Sequence, residues 1–195
     1  MKHFTKTVED MYPVLEPHLH PMDRGAFGDE FLRTKNSYEW LASIAWELQP
    51  KRILEIGVRF GYGAISMLWG TAKGKPPAKT LYWGLDNEQA EAGSNDFARS
   101  AILPFCEGWP VLMKKLIENL PSYDLIYVDG YHTPEAVLED LALAGNLRRP
   151  GGVILVDDVT FIPSLMQPVL DWAREHGFET ECLPTHRGLL VLSAR

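Results

Sequence analysis

Short apolar runs rich in β-branched residues alternate with longer helix-like segments from about residue 50 onward. This alternation is typical of a parallel sheet that is covered by helices on both faces. The predicted strands are RILEIG, TLYWGLD, a weak one near ILPFC, DLIYVDG, GVILVDD, and two more within GFETECLPTHRGLLVLSAR. The last two are joined by a turn, so one of them should run antiparallel to the rest. We therefore predict an α/β fold with a doubly wound, mostly parallel sheet and an antiparallel C-terminal strand.

Helical segments are predicted between these strands: AISMLWG, the stretch after Asn87, VLMKKLIENL, AVLEDLALAGNL and SLMQPVLDWAREHG. Residues 1–49 differ, because they are rich in Pro, His and Gly and only NSYEWLASIAWELQP is clearly helical. Asn36 is the predicted N-cap of that helix. We expect a single domain overall, in which an N-terminal helical lid or cap of residues 1–49 covers a Rossmann-like domain of residues 50–195.

Composition and charge narrow the class of protein. No apolar run approaches the roughly 18 residues that a membrane span needs, and MKHFTKTVED lacks the apolar core of a signal peptide. Cys106 and Cys182 lie far apart without metal-type pairing, so we expect a cytoplasmic protein without disulfides. The formal net charge of -7 would repel a phosphate backbone, so nucleic acid is not an expected partner.

A glycine loop follows the first predicted strand in ILEIGVRFGYG, which spans residues 53–63. A strand, a glycine loop and a helix are the general arrangement that binds a nucleotide-type cofactor in a doubly wound sheet. Asp86 ends the next strand, where a carboxylate can accept hydrogen bonds from ribose hydroxyls. The alternative is a tight turn that uses glycine only for its backbone freedom.

The charge of Glu55 favours one cofactor over another. A pyrophosphate needs backbone N–H groups without a carboxylate nearby, whereas S-adenosylmethionine (SAM) carries an ammonium and a sulfonium. Glu55 therefore favours SAM over NAD. Arg59, inside the loop, is a candidate partner of the methionine carboxylate, with a solvated arginine as the alternative.

Three carboxylates follow two later strands: Asp129 ends DLIYVDG, and Asp157 and Asp158 end GVILVDD. The carboxyl ends of neighbouring parallel strands meet at one edge of a sheet, so these side chains should converge. A hard divalent cation would relieve their repulsion. The alternative is structural, with Asp158 as a helix cap and Asp129 ordering the glycine turn.

The loop and the acid after the second strand resemble those of class I SAM-dependent methyltransferases. The resemblance implies cofactor binding by Glu55, Gly57, Gly61 and Asp86. CEGWPVLMKKL resembles the adenine-side loop of metal-dependent O-methyltransferases, which implies adenine contacts from Gly108 and Trp109. Pro110 departs from that pattern, since it lacks a backbone N–H.

The pattern D-G-x-H, followed by a helix and P-G-G-x-I-L-x-D-D, resembles the metal-dependent small-molecule O-methyltransferases, including antibiotic-tailoring and sugar-modifying enzymes. The resemblance covers about residues 50 to 160. It implies a divalent ion, with Mg²⁺ as first candidate, held by Asp129, Asp157 and Asp158, with Asp129 also beside the cofactor and the reacting atoms. His132 stands where catechol-type relatives have a proton-accepting lysine, so it is a candidate base; the alternative is a helix-start residue with local hydrogen bonds.

The resulting hypothesis is a SAM-dependent, divalent-metal-assisted O-methyltransferase that acts on a hydroxyl of a small molecule. An NAD(P)-dependent oxidoreductase and a non-catalytic nucleoside-binding module are the alternatives. The apolar, irregular N-terminal segment is compatible with a homo-oligomer. His18 and His20, in EPHLHPMD, form an H-x-H with metal-ligand potential, but two solvated histidines in the lid are the expected outcome. No membrane partner is expected, and the small-molecule substrate itself carries no recognisable code.

Overall fold

A single seven-stranded sheet forms the centre of the computed structural model, which describes residues 3–24, 28–88, 91–115 and 120–194. The strands are β1 (Arg52–Ile56), β2 (Leu81–Leu85), β3 (Val111–Met113), β4 (Tyr123–Val128), β5 (Arg148–Val156), β6 (Phe178–Leu183) and β7 (Leu189–Ala194). Their order across the sheet is β3-β2-β1-β4-β5-β7-β6. β2 and β3 lie on one side of β1, whereas β4 and β5 lie on the other. The strand order therefore reverses between β1 and β4, and ligands bind at such a point in doubly wound folds.

The predicted mixture of strand directions is confirmed. β1 pairs in parallel with both β2 and β4, and β4 pairs in parallel with β5. β7 pairs antiparallel with β5 on one side and with β6 on the other. The short connection between β6 and β7 therefore lies at the same edge of the sheet as the carboxyl end of β5.

Helices cover both faces of the sheet: α1 (Tyr12–Leu15), α2 (Pro21–Arg24), α3 (Gly28–Leu48), α4 (Tyr62–Thr71), α5 (Ser94–Ile102), α6 (Pro134–Leu147) and α7 (Pro163–Glu175). Side chains alternate along a strand, so Ile53 of β1 packs in one core with α3 and α4 while Leu54 packs in the other with α6 and α7. Among the described residues, no helix combines the length and apolar character of a membrane span.

The third strand differs from the prediction. ILPFC is not a strand, because α5 ends at Ile102 and a 3₁₀ turn, Leu103–Phe105, follows; Pro104 lacks the N–H that a strand would use. The strand is instead Val111–Met113, which pairs with Trp83–Leu85 at the sheet edge. The predicted helix over VLMKKLIENL is therefore wrong at its start, and residues 116–119 lie outside the described ones.

The N-terminal segment packs on the same core as α4. Phe4, Val8, Met11 and Leu15 are buried there. The predicted cap at Asn36 is wrong, because α3 already begins at Gly28 and the Asn36 amide donates to the carbonyl of Pro184.

Candidate active site

The segment between β1 and the first turn of α4 contains two glycines at positions where a side chain would collide with a neighbouring group. Gly57 has φ +87, and a Cβ there would lie 2.1 Å from the Asp129 carbonyl oxygen at the end of β4. A Cβ at Gly63 would lie 2.3 Å from Glu55 Oε1. Gly61 has φ +85 at the start of α4. These positions bring the ends of β1 and β4 together under one loop.

Glu55 lies beneath the glycine loop. It is 1% exposed, and the Tyr82 hydroxyl donates a 2.5 Å hydrogen bond to Glu55 Oε2. Burial raises the pKa of Glu55 well above its ordinary range. The side chain still lines the cavity described below, so a positive group placed there would favour its ionised form.

Asp86, at the end of β2, organises the loop. Its Oδ2 accepts hydrogen bonds from the backbone N–H groups of Val58, at 2.9 Å, and Arg59, at 2.7 Å. Its Oδ1 accepts one from the Glu88 N–H at 2.7 Å. These bonds fix the carboxylate at the cavity wall, where unused lone pairs can accept further hydrogen bonds.

The N-terminal segment reaches the loop through Tyr62. The Tyr62 hydroxyl donates to Asp23 Oδ2 at 2.6 Å and accepts from the His20 N–H at 2.8 Å. The predicted solvated His20 instead stacks on Phe60, with ring centroids 4.1 Å apart. Arg59 Nη2 lies 3.9 Å from Asp23 Oδ1. Residues 20–24 therefore pack beside the loop, and Asp23 among them lines the cavity described below.

Carboxylates and a histidine meet at the ends of β4 and β5. Asp129, His132 and Asp158 each place one ligand atom within 4.8 Å of the others. His132 Nε2 lies 2.9 Å from Asp158 Oδ2 and 3.5 Å from Asp129 Oδ1. We call these three residues the strand-end cluster. Two of the three predicted metal ligands thus belong to it, together with the predicted base.

Asp157 is joined to the cluster through a tyrosine. The Tyr127 hydroxyl donates to Asp157 Oδ2 at 2.7 Å and lies 3.2 Å from Asp129 Oδ2. Asp157 Oδ1 accepts from the Asp158 N–H at 2.9 Å. Burial and the neighbouring Asp129 and Asp158 raise the pKa of Asp157 to about 7. Asp157 is thus held by protein groups on both oxygens.

Two cationic groups offset the charge of the cluster. The hydrogen bonds that His132 makes with Asp129 and Asp158 raise its pKa to about 10, so its imidazole is protonated at neutral pH. Arg187, from the β6–β7 connection, forms an ion pair with Asp158, with Nη2 at 3.1 Å from Oδ2. Asp158 itself is fully buried and has φ +62.

The glycine loop and the cluster share one cavity of about 820 Å³, within the range of small-molecule sites. Glu55, Gly57, Arg59, Asp86, Asp129 and His132 line it. Gly61, Gly108, Trp109, Asp157 and Asp158 are not among its lining residues. Trp109 is 68% exposed, and the wall near the β2 end is formed instead by residues such as Asn87, Ser94 and Lys114.

A family model described as a methyltransferase domain matches residues 54–159, more than half of the chain. The chain belongs to this methyltransferase family. The matched range includes the glycine loop, Asp86 and the three carboxylates Asp129, Asp157 and Asp158. Arg187 and the N-terminal wall lie outside it.

Relatives of this methyltransferase include the O-methyltransferase hkm8 of Aspergillus hancockii, which is 29% identical over 127 residues. That match covers 63% of this chain and 48% of hkm8, so the chain spans about half the length of this relative. The S-adenosylhomocysteine-bound methyltransferase PaMTH1 of Podospora anserina shares the fold with a TM-score of 0.72, 20% identity and coverage of 97% and 91% of the two chains. SAM-bound TomG of Streptomyces achromogenes is an O-methyltransferase involved in tomaymycin synthesis. It shares the fold with a TM-score of 0.62 and 19% identity, and the match covers 83% of this chain and 81% of TomG.

Several residues of the candidate site were not predicted from the sequence. Tyr127 stands two positions before Asp129, so strand alternation would have placed both on one face. Asp23, Tyr62 and Arg187 carry no comparable signal, because they reach the site through the packing of distant segments.

Proposed function

We propose that this methyltransferase transfers the methyl group of SAM to a hydroxyl oxygen of a small molecule, assisted by a divalent cation. The supporting observation is the single cavity that joins the glycine loop and Asp86 to Asp129 and His132 of the strand-end cluster. A cofactor bound by the loop and an acceptor held at the cluster would lie side by side, and such placement is the main source of rate in a methyl transfer.

The charge of the cavity supports SAM as the cofactor. Among the described residues, seven carboxylate residues line it against four Lys and Arg residues and the protonated His132, which favours a sulfonium and an ammonium over a pyrophosphate. We assign the ribose to Asp86 and the methionine end to the space above Gly57, Gly61 and Glu55. Arg59 is placed to pair with the methionine carboxylate. Gly108 and Trp109, the predicted adenine contacts, do not line the cavity.

The donor set fits a divalent ion. Asp129 and Asp158 offer hard carboxylate oxygens, and the cluster as a whole is compact enough for one ion. Asp157 would join as a third carboxylate if it released a hydrogen bond. Mg²⁺ is the first candidate and Mn²⁺ the second, because both ions prefer carboxylate oxygens. Such an ion would lower the pKa of an acceptor hydroxyl.

The proposed base is His132. While Asp129 and Asp158 both hold its imidazole, the raised pKa keeps it protonated and unable to accept a proton at neutral pH. It becomes a base only when another cation takes the place of its imidazole at both carboxylates. This dependence ties the role of His132 to the charge state of the cluster.

Residues 1–49 are proposed to act as the lid on the acceptor side, since Asp23 and Tyr38 line the cavity. The acceptor would be a small molecule rather than nucleic acid, given the acidic cavity and the net charge of -7. A reducing, cytoplasmic location agrees with two free cysteines. A homo-oligomer remains part of the proposal.

Isothermal titration with SAM tests the cofactor assignment. We expect Asp86→Ala to weaken SAM binding by about tenfold or more, because it removes the ribose acceptor and frees the loop. Lys79→Ala, at an exposed site in the connection between α4 and β2, serves as the control and should bind SAM normally. Unchanged affinity in Asp86→Ala would refute the assignment.

Transfer of the methyl group from radiolabelled SAM to a panel of hydroxylated compounds tests the proposed reaction. The same assay with Mg²⁺ or with EDTA tests its metal requirement.

A further inference from the structure

The β6–β7 connection is fastened to the residues that follow β5. The Arg187 carbonyl accepts hydrogen bonds from the N–H groups of Thr160, at 3.1 Å, and Phe161, at 3.0 Å. Gly188 has φ +83, and a Cβ there would lie 2.4 Å from the Thr160 hydroxyl. The backbone of Arg187 is thus fixed beside the carboxyl end of β5.

From this position the Arg187 guanidinium holds Asp158 at two points. Its Nη2 donates to Asp158 Oδ2, and its Nε forms the ion pair with Oδ1. The guanidinium carbon also lies 5.0 Å from the centre of the Phe161 ring. Two-point pairing of arginine with a carboxylate combines charge with fixed geometry.

Both oxygens of Asp158 are therefore engaged, since Oδ2 also contacts His132. Asp158 is completely buried, so water cannot take over from a lost partner without rearrangement. A divalent ion that binds Asp158 must share it with a guanidinium of like charge or displace that group. Asp129 and Asp157 are the other charged groups at this position, and both are acidic.

We propose that Arg187 is a resident cation of the strand-end cluster, which holds Asp158 in the metal-free enzyme and competes with the divalent ion for that carboxylate. The inference rests on the metal part of the proposed function. Arg187 is thus a positioning residue that sets how tightly the ion binds. Arg187 and His132 together supply the positive charge that offsets its carboxylates.

Mn²⁺ titration calorimetry at about pH 8 tests this competition, since the carboxylates are then largely ionised. We compare the wild type, Arg187→Met and Arg174→Met. Arg187→Met removes the competing charge but keeps an apolar stem, so its Mn²⁺ affinity should rise by about tenfold or more. Arg174 is an exposed arginine on α7 that pairs with Asp171, so Arg174→Met makes the same change in net charge and should match the wild type.

A second measurement uses the wild type and so does not depend on the stability of a variant. The Arg187 Nε–H resonance, identified by its absence from Arg187→Lys, should shift on titration with Mg²⁺ in a nitrogen-15 correlation spectrum. If Mg²⁺ binds at Asp158 and this resonance stays in place, the competition does not exist and the proposal fails.

The outcomes separate this inference from the proposed function. Equal Mn²⁺ affinity in the wild type and Arg187→Met overturns the role of Arg187 but leaves metal assistance standing. Absence of Mn²⁺ binding in both overturns the inference and the metal assignment together. SAM titration of the same samples reports on the cofactor assignment separately.

Discussion

Asp140 shows how one partly buried side chain can make the stability of the folded chain depend on pH. It lines the cavity from α6, and a Cβ on Gly130 would lie 2.8 Å from its Oδ2. Burial, with the nearby Glu139, raises the pKa of Asp140 from 3.8 to about 6. No cationic partner of Asp140 is found among the described residues. Its ionised form is therefore the unfavourable one in the folded chain.

Asp140→Asn should stabilise the protein at alkaline pH but not at acid pH. A carboxyl group with a raised folded-state pKa binds its proton more tightly when folded, so stability falls as pH rises from about 4 through about 6. Asparagine removes this loss, which we expect to be worth about 1 to 2 kcal/mol at pH 8 after allowance for partial exposure.

Chemical denaturation of the wild type and Asp140→Asn at about pH 4 and 8 measures the effect. Glu135→Gln, at an exposed site on the same helix, should change stability little at either pH. An equal effect of Asp140→Asn at both pH values would contradict the role given to burial.

At the scale of elements, the site depends on how the N-terminal segment meets the start of α4. The Tyr62 hydroxyl joins Asp23 and His20 to the loop. Phe60 and His20 stack beside it. The hydroxyl of Tyr62 is thus the main polar link between α2 and the glycine loop, supported by apolar packing.

Tyr62→Phe should loosen residues 20–24 without unfolding the sheet. The change removes the hydroxyl that bonds both the buried Asp23 carboxylate and the His20 N–H, a loss of about 1 to 3 kcal/mol, although Asp23 keeps its contact with Arg59. The His20 amide should then exchange with solvent about tenfold faster or more, while amides of β4 keep their protection.

Hydrogen exchange followed by mass spectrometry tests this prediction, with Tyr131→Phe as the control because Tyr131 is exposed. Normal protection of residues 20–24 in Tyr62→Phe would show that stacking of His20 on Phe60 suffices. SAM affinity, measured on the same variant, reports whether the loosened wall affects the cofactor.

The elements also show what the sequence could and could not specify. Asp86, Asp129 and Asp158 were predictable because each follows an apolar strand, and parallel strands end at a common edge. β3 was mistaken because Val-Leu-Met reads equally well as a helix start, and only pairing with β2 makes it a strand. The contact between Arg187 and Asp158 joins residues 29 positions apart, and no local pattern encodes it.

At the scale of the whole molecule, ligand binding should raise the thermal stability of the chain. S-adenosylhomocysteine at about 100 times its dissociation constant would stabilise the folded state by about 2.7 kcal/mol. For a chain of this size that corresponds to a rise in Tm of about 5 to 10 °C. NAD⁺ at the same concentration should give little change, because a pyrophosphate would meet an acidic cavity.

Differential scanning fluorimetry measures both shifts. Asp86→Asn, which keeps the shape of the side chain but removes its charge, should show a smaller rise with S-adenosylhomocysteine than the wild type. A larger rise with NAD⁺ than with S-adenosylhomocysteine would instead support the oxidoreductase alternative.

The β6–β7 connection that carries Arg187 can change in sequence without any change in the strands that carry the carboxylates. The carboxylates are anchored in β4 and β5, at the centre of the sheet, where substitutions disturb the core. Arg187 stands in a short connection between two later strands, outside the range that defines the family. If the proposed competition between Arg187 and a divalent ion holds, natural variation in that connection would change the strength of metal binding while every acidic residue stays the same.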